Sequence, residues 1–352
     1  MRGTHAGGLL VFTLMAAGLA TAENGRGRDV LVLTSTNGTN NELVVFKLNT
    51  DGTDSLSLLS RLPTGGAGGA SGNAGAVQFR NAFGAVANFG SNTVTQLMRT
   101  GDAIRVGATI QLAEGCTKPV SVALSDRELY VAGADCVESH DWPSGRLDGP
   151  KVALPDTSAG QVAVGQTWAA VTLKSGSVQQ FPIGGGGALT GTRNAVALPL
   201  GANDTPFGAD FWGDLLGFNP AHSPSSFALV NKDRNVFPVT GPQPPFPANA
   251  PCWLAKGPGS IWYAGNSPGQ SISVFFSDGR GGTFYKSVAL GGTPTDITVS
   301  RDQKWLAVIY TAADGSGARL SVFAIDVFGD LAPVATSTPI GVTSFNGVAF
   351  SL

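Results

Sequence analysis

The chain has 352 residues, a formal net charge of −2, only 13% charged residues, 49 glycines and 21 prolines. Such sparse charge, with no basic run and no strip of arginines among aromatics, argues against nucleic acid as a partner, and no polybasic patch marks a membrane surface. Short apolar runs broken by Gly, Asn, Asp and Pro recur throughout, and no stretch after the leader sustains a helical period, so the mature chain reads as all-β.

In chain order, Arg2, the apolar run Leu9 to Leu19 and the small residues Ala20-Thr21-Ala22 predict a signal peptide over 1–22. The remainder, 23–352, reads as one domain of a secreted protein, periplasmic if the host is bacterial, with no later segment apolar enough to anchor it. The first strands are placed at Asp29 to Thr34 and Asn41 to Leu48. The glycine-rich stretch Gly65 to Gly75 could offer backbone amides to an anion, but it lacks the Lys-Ser/Thr and the helix of a phosphate loop, so it is read as a flexible blade-to-blade connection. Asn37-Gly38-Thr39 and Asn203-Asp204-Thr205 are glycosylation sequons in turn-like contexts.

From Ala74 onward one strand cassette repeats. Its inner strands start near Gly75, Pro119, Gly160, Pro206, Pro251, Pro294 and Asn346, roughly 40 to 50 residues apart, the size of a four-stranded propeller blade. The last cassette stops after a single strand, whereas the first strands have no inner strand before them. Pairing Gly347 to Phe350 with the N-terminal strands would complete the seventh blade and leave no open sheet edge. The expectation is therefore a monomeric, seven-bladed β-propeller closed by its two chain ends. Cys116 and Cys136 fall at the same end of one two-strand ribbon, where a disulfide is geometrically reasonable in an oxidising compartment. Cys252, beside Trp253, is then left over and reads as a packed small hydrophobe.

Several segments resemble the lactonase-like seven-bladed propellers, the group of 6-phosphogluconolactonase and the carboxymuconate lactonizing enzyme. Val86-Ala87-Asn88-Phe89-Gly90-Ser91-Asn92-Thr93-Val94 is similar to that family's strand pair, Asn41 to Thr53 to its outer strand, and Gly292 to Val308 to its Gly-Thr-Pro turn and Ser-x-Asp strands. The resemblance spans Asp29 to Leu352, and with the Ala250-Pro251-Cys252-Trp253 turn and the leader it points to an exported branch. It implies lactone chemistry on the central face by His, Arg and Glu entering the inner strands. Here the equivalent pairs are Gly75-Ala76, Val120-Ser121, Gly160-Gln161, Phe207-Gly208, Cys252-Trp253, Thr295-Asp296 and Asn346-Gly347, with no His or Arg among them.

Outside the leader, His140 and His222 are both read as exposed loop residues without metal-ligand spacing, and no cofactor or metal site is expected. No Gly-x-Ser-x-Gly elbow supports a hydrolase triad. The candidate site is the channel mouth at the inner-strand entrances. Asp296 would act there as general base and Lys118 would hold an anionic group, with Gln161, Cys252, Trp253 and Asn346 completing a ring for a small polar or anionic ligand. Two functions fit this reading: a lactonase or lactonizing isomerase, and a non-catalytic exported propeller that binds a carbohydrate, metabolite or protein.

Overall fold

The structure is a computed structural model that describes residues 29–50, 54–198, 205–221, 226–240, 250–267, 269–342 and 345–352. The predicted leader, Asn203 and His222 lie outside the described residues. Seven four-stranded antiparallel sheets stand around a central axis, in the order expected from the repeat. Their inner strands are Val77–Arg80, Ser121–Leu124, Ala159–Val164, Ala209–Trp212, Pro251–Lys256, Gly292–Val299 and Asn346–Ser351, which define blades one to seven.

Each strand alternates its side chains between two neighbouring blades. Ile309, Leu320 and Val322 of blade six thus pack against Val32, Phe46 and Val348 of blade seven. The outermost strands have one neighbour fewer and are correspondingly exposed, as in Ser55–Pro63.

Closure is as predicted. Asn346–Ser351 pairs antiparallel with Val30–Ser35, placing Phe350 opposite Val32 and Val348 opposite Thr34. Gly347 is obligatory in this strand: its φ is +75°, and a β-carbon there would lie 2.4 Å from the backbone nitrogen of Val77.

Arg99 of blade one locks this seam. It is only 5% exposed, and its guanidinium donates to the carbonyl of Ser351, to that of Asp29 at 2.5 Å and to that of Gly101 at 2.8 Å. One buried cation therefore holds both ends of the described chain. Arg99→Met should leave these carbonyls short of donors and destabilise the fold by on the order of 3 kcal/mol. Hydrogen exchange should then rise first in 346–351, and an unchanged urea midpoint would refute the clamp.

Cys116 and Cys136 form the predicted disulfide, with Cα atoms 5.5 Å apart and a sequence separation of 20. A loop of that length contributes about 3 kcal/mol through restriction of the unfolded chain. The Cys116→Ala/Cys136→Ala variant should lose that amount in chemical denaturation, and peptide mapping without reductant should find these two cysteines joined. Cys252 is free, and burial pushes its thiol up to about 12. It should resist alkylation until the protein unfolds.

Three sequence readings need correction. His140 is not on an exposed loop: it lies in the strand Cys136–Asp141, is 1% exposed and faces blade one. Its Nε2 is 2.8 Å from Glu138 Oε1 and its Nδ1 is 3.1 Å from the Gly145 carbonyl. Asn37 is buried, with its amide donating to the Ala70 carbonyl at 2.7 Å and its Oδ1 accepting from the amides of Gly69 and Ala70, so its side chain is committed to the fold rather than open to a glycan. The glycine-rich linker that Asn37 holds is no loose connection either, and its course determines the site.

Candidate functional site

The linker from blade seven into blade one runs across the axis instead of around it. Asn73 donates to the Val120 carbonyl and accepts from Asn346 Nδ2 at 3.0 Å, while its own carbonyl lies 3.5 Å from Trp253 Nε1. Ala74 donates to the Gly160 carbonyl at 3.2 Å. The Gly75 amide donates to Asp296 Oδ2 at 3.0 Å, and its carbonyl accepts from the Val122 amide at 2.9 Å. Three consecutive residues are thereby bonded to blades two, three, five, six and seven. Gly75 turns the chain down into its inner strand at a φ of +68°, which glycine adopts without strain.

This tripeptide divides the channel. Above it, at the inner-strand entrances, lies a cavity of about 240 Å³ bounded by Asn37, Asn73, Trp253, Phe345 and Asn346. Below it lies a second cavity of about 230 Å³, reaching from Gly75 and Asp296 down to Arg80 and Arg301 at the exits.

The six candidates expected at one mouth are accordingly separated. Asp296 and Gln161 line the lower cavity, whereas Trp253 and Asn346 line the upper one. Cys252 packs against the blade-five core, and its carbonyl accepts from the Gly208 amide at 2.7 Å. Lys118 is exposed at a turn with φ +53°, its ammonium 5.9 Å from the Phe89 ring centroid, and it borders neither of these cavities.

Asp296 is the chemical centre of the lower cavity. It is 3% exposed, and burial raises its carboxyl to about 7 against the opposing pull of backbone amides. Oδ2 accepts from Gly75 and Oδ1 from the amide of Ile297 at 2.9 Å. A β-carbon on Gly75 would lie 3.1 Å from Ser121 Oγ, 3.2 Å from Gln161 Nε2 and 3.4 Å from Gln78 Nε2. Three polar side-chain atoms therefore converge on the open side of the residue that Asp296 binds. Gln161 is held in place because its Oε1 accepts from the Ala209 amide at 2.7 Å.

Two residues further along each inner strand, the cavity wall carries Gln78, Asp210 and Thr298, while Ala123, Ala163, Ala255 and Ala349 leave the space between them. Asp210 accepts from the amides of Phe211 at 2.7 Å and Lys256 at 2.8 Å, and burial raises its carboxyl. The sequence reading missed this tier. Its signal was available in the period-two alternation beyond each strand entrance, where small residues leave room and polar ones line it.

At the exit, Arg80 grips Asp126 with two bonds of 2.7 and 3.1 Å, which hold the Asp126 carboxyl below its usual range. Asn81 links this pair to Arg301, which donates to its Oδ1, so one side of the lower mouth is strapped from blade six to blade two. Among the described residues no cluster of His, Cys, Asp and Glu has the arrangement of a metal site.

A closed seven-bladed ring with a polar axial cavity is thus the class that fold and site define. Solved structures of the same fold include the periplasmic gluconolactonase of Pseudomonas aeruginosa, with a TM-score of 0.64 and 15% identity over 92% of this chain and 99% of that one. A Bacteroides uniformis protein provisionally described as a 6-phosphogluconolactonase gives 0.66 and 16% over the same shares. A functionally unknown protein from Desulfotomaculum acetoxidans gives 0.68 and 15%, again covering 92% and 99%. No family model matches the chain, and no curated protein sequence matches it. At these identities the likeness is one of fold, and activity has to be argued from the site.

Proposed function

We propose that the protein is an exported lactonase-like propeller that opens or closes a small lactone in the lower axial cavity. The observation that carries this reading is Asp296, a buried carboxyl titrating near 7 and bonded to the Gly75 amide, with the amide nitrogens of Gln161 and Gln78 gathered around Gly75. A base poised near neutrality is what water activation requires. In hydrolysis, ionised Asp296 would take a proton from water as its oxygen bonds to the lactone carbonyl carbon. The glutamine amides would donate to the resulting oxyanion. The ring C–O bond then breaks, and protonated Asp296 returns its proton to the leaving alkoxide, giving the hydroxy acid.

The gluconolactonase and 6-phosphogluconolactonase names among the structural neighbours support the reaction class. The disulfide fits an oxidising, exported location. Lys118 takes no part in this mechanism.

One observation favours the binding reading: both Asp296 oxygens already accept backbone hydrogen bonds. Purified protein tested against a panel of aldonolactones in weak buffer, with acid release followed by pH drift, separates the two. Turnover of at least one lactone above its spontaneous rate supports the enzyme, and none at any pH from 6 to 9 leaves the binding module.

A further inference from the structure

We infer that the lower cavity is loaded from the inner-strand exit face and selects an uncharged, hydroxyl-rich ligand; the choice of a lactone-like ligand rests on the reading above, the route and the charge selection do not. The route follows from the crossing tripeptide. Asn73, Ala74 and Gly75 are each buried and bonded to other blades, so they cannot lift from the upper mouth without breaking hydrogen bonds to five of them. The exits carry no such crossing segment among the described residues, and the same cavity that begins at Asp296 ends at the exposed Arg301. From Asp296 the strand runs three more residues to Val299, roughly 10 Å, before the turn that carries Arg301, so the polar cluster lies well inside the exit.

That approach discriminates by charge at two levels. At the mouth Arg80 is paired with Asp126, so Arg80, Asp126 and Arg301 together carry one net positive charge, which disfavours cations. Phe79, Leu124, Val164, Val299 and Phe350 also border the cavity, but they are committed to the packing between blades. Further in, the wall bears Asp210 and Asp296 with Gln78, Gln161 and Thr298, where an anion meets two carboxyl groups and no basic side chain lines the wall. Hydroxyl groups can donate to the carboxyl oxygens and accept from the amides, so a neutral polyol is penalised at neither level. The volume of about 230 Å³ lies below the ~300–1,000 Å³ usual for drug-sized sites, which restricts the ligand to a small molecule.

The test uses D-glucono-1,5-lactam, an uncharged lactone mimic, so that binding is read without turnover. Two single-cysteine variants, Arg301→Cys at the lower mouth and Ser71→Cys on the exposed upper surface of the linker, are each titrated with the lactam before and after labelling with a bulky maleimide; wild-type protein, with its partly buried Cys252, treated with the same maleimide, is the control. Labelling at 301 should weaken lactam binding at least tenfold, and labelling at 71 should change it less than twofold. For wild-type protein, gluconate and glucamine, the anionic and cationic counterparts, should bind at least tenfold more weakly than the lactam. A block by the label at 71 with none at 301 would overturn the route, and tighter binding of either ion, or no lactam binding at all, would overturn the charge selection. If the lactam binds from the exit face while no lactone is turned over, the inference stands and the catalytic reading falls.

Discussion

Replacing Asp296 with asparagine should lower lactone turnover by about 10²–10⁴-fold, the range that a positioned general base contributes. The substitution keeps the size of the side chain and an acceptor for the Gly75 amide, but it removes the group that takes the proton. In the wild type, kcat/KM should rise with pH as the carboxyl ionises through about 7 and then level off. The residual rate of the variant should lack that step. The measurement is initial rate across pH 5 to 9 for both proteins, with near-ultraviolet circular dichroism to show that the core is intact. Equal rates would remove Asp296 from the mechanism, and a variant that loses rate while keeping the wild-type pH step would assign the base to another group.

The second large effect is on stability. The carboxyl of Asp296 sits at about 7 in the folded chain against an ordinary 3.8, so protonation favours the folded state. Its contribution is fully present below pH 4 and is lost as pH rises through 7, amounting to about 4 kcal/mol at 1.36 kcal/mol per unit. Glu128 acts in the same direction, since burial, followed by the charges of Asp148 and Asp141, raises its carboxyl to about 7. Comparing wild type with Asp296→Asn isolates the first residue: the wild type should lose more stability between pH 5 and pH 8 than the variant does. Superimposable profiles of Tm against pH would show that Asp296 stays ionised throughout.

The repeated strand-and-turn pattern placed all seven inner strands, and the unpaired cassettes at the two ends implied that Gly347 to Phe350 would pair with the N-terminal strands, as they do with Val30–Ser35. The disulfide was legible for a similar reason, because Cys116 and Cys136 fall at one end of a local ribbon whose geometry depends on few residues. Asp296, Gln161, Trp253 and Asn346 were placed at one level of the ring. What that reading lacked was the tripeptide Asn73-Ala74-Gly75, which passes through that level and assigns two of the four to each cavity.

Alternation and turn chemistry are local, and a repeat copies them seven times, so the sequence by itself determined the blade count, the closure and the disulfide. The division of the channel depends on bonds such as Gly75 to Asp296 and Asn346 to Asn73, which join residues 221 and 273 positions apart. No periodicity carries such a pairing. A glycine-rich linker is compatible with a loose path around the rim or a bonded path across the axis, and only the carbonyls and amides that the assembled blades present choose between them. The same holds for the ionisation of Asp296, whose carboxyl is ordinary in the unfolded chain and rises to about 7 only when the closed ring removes water from around it.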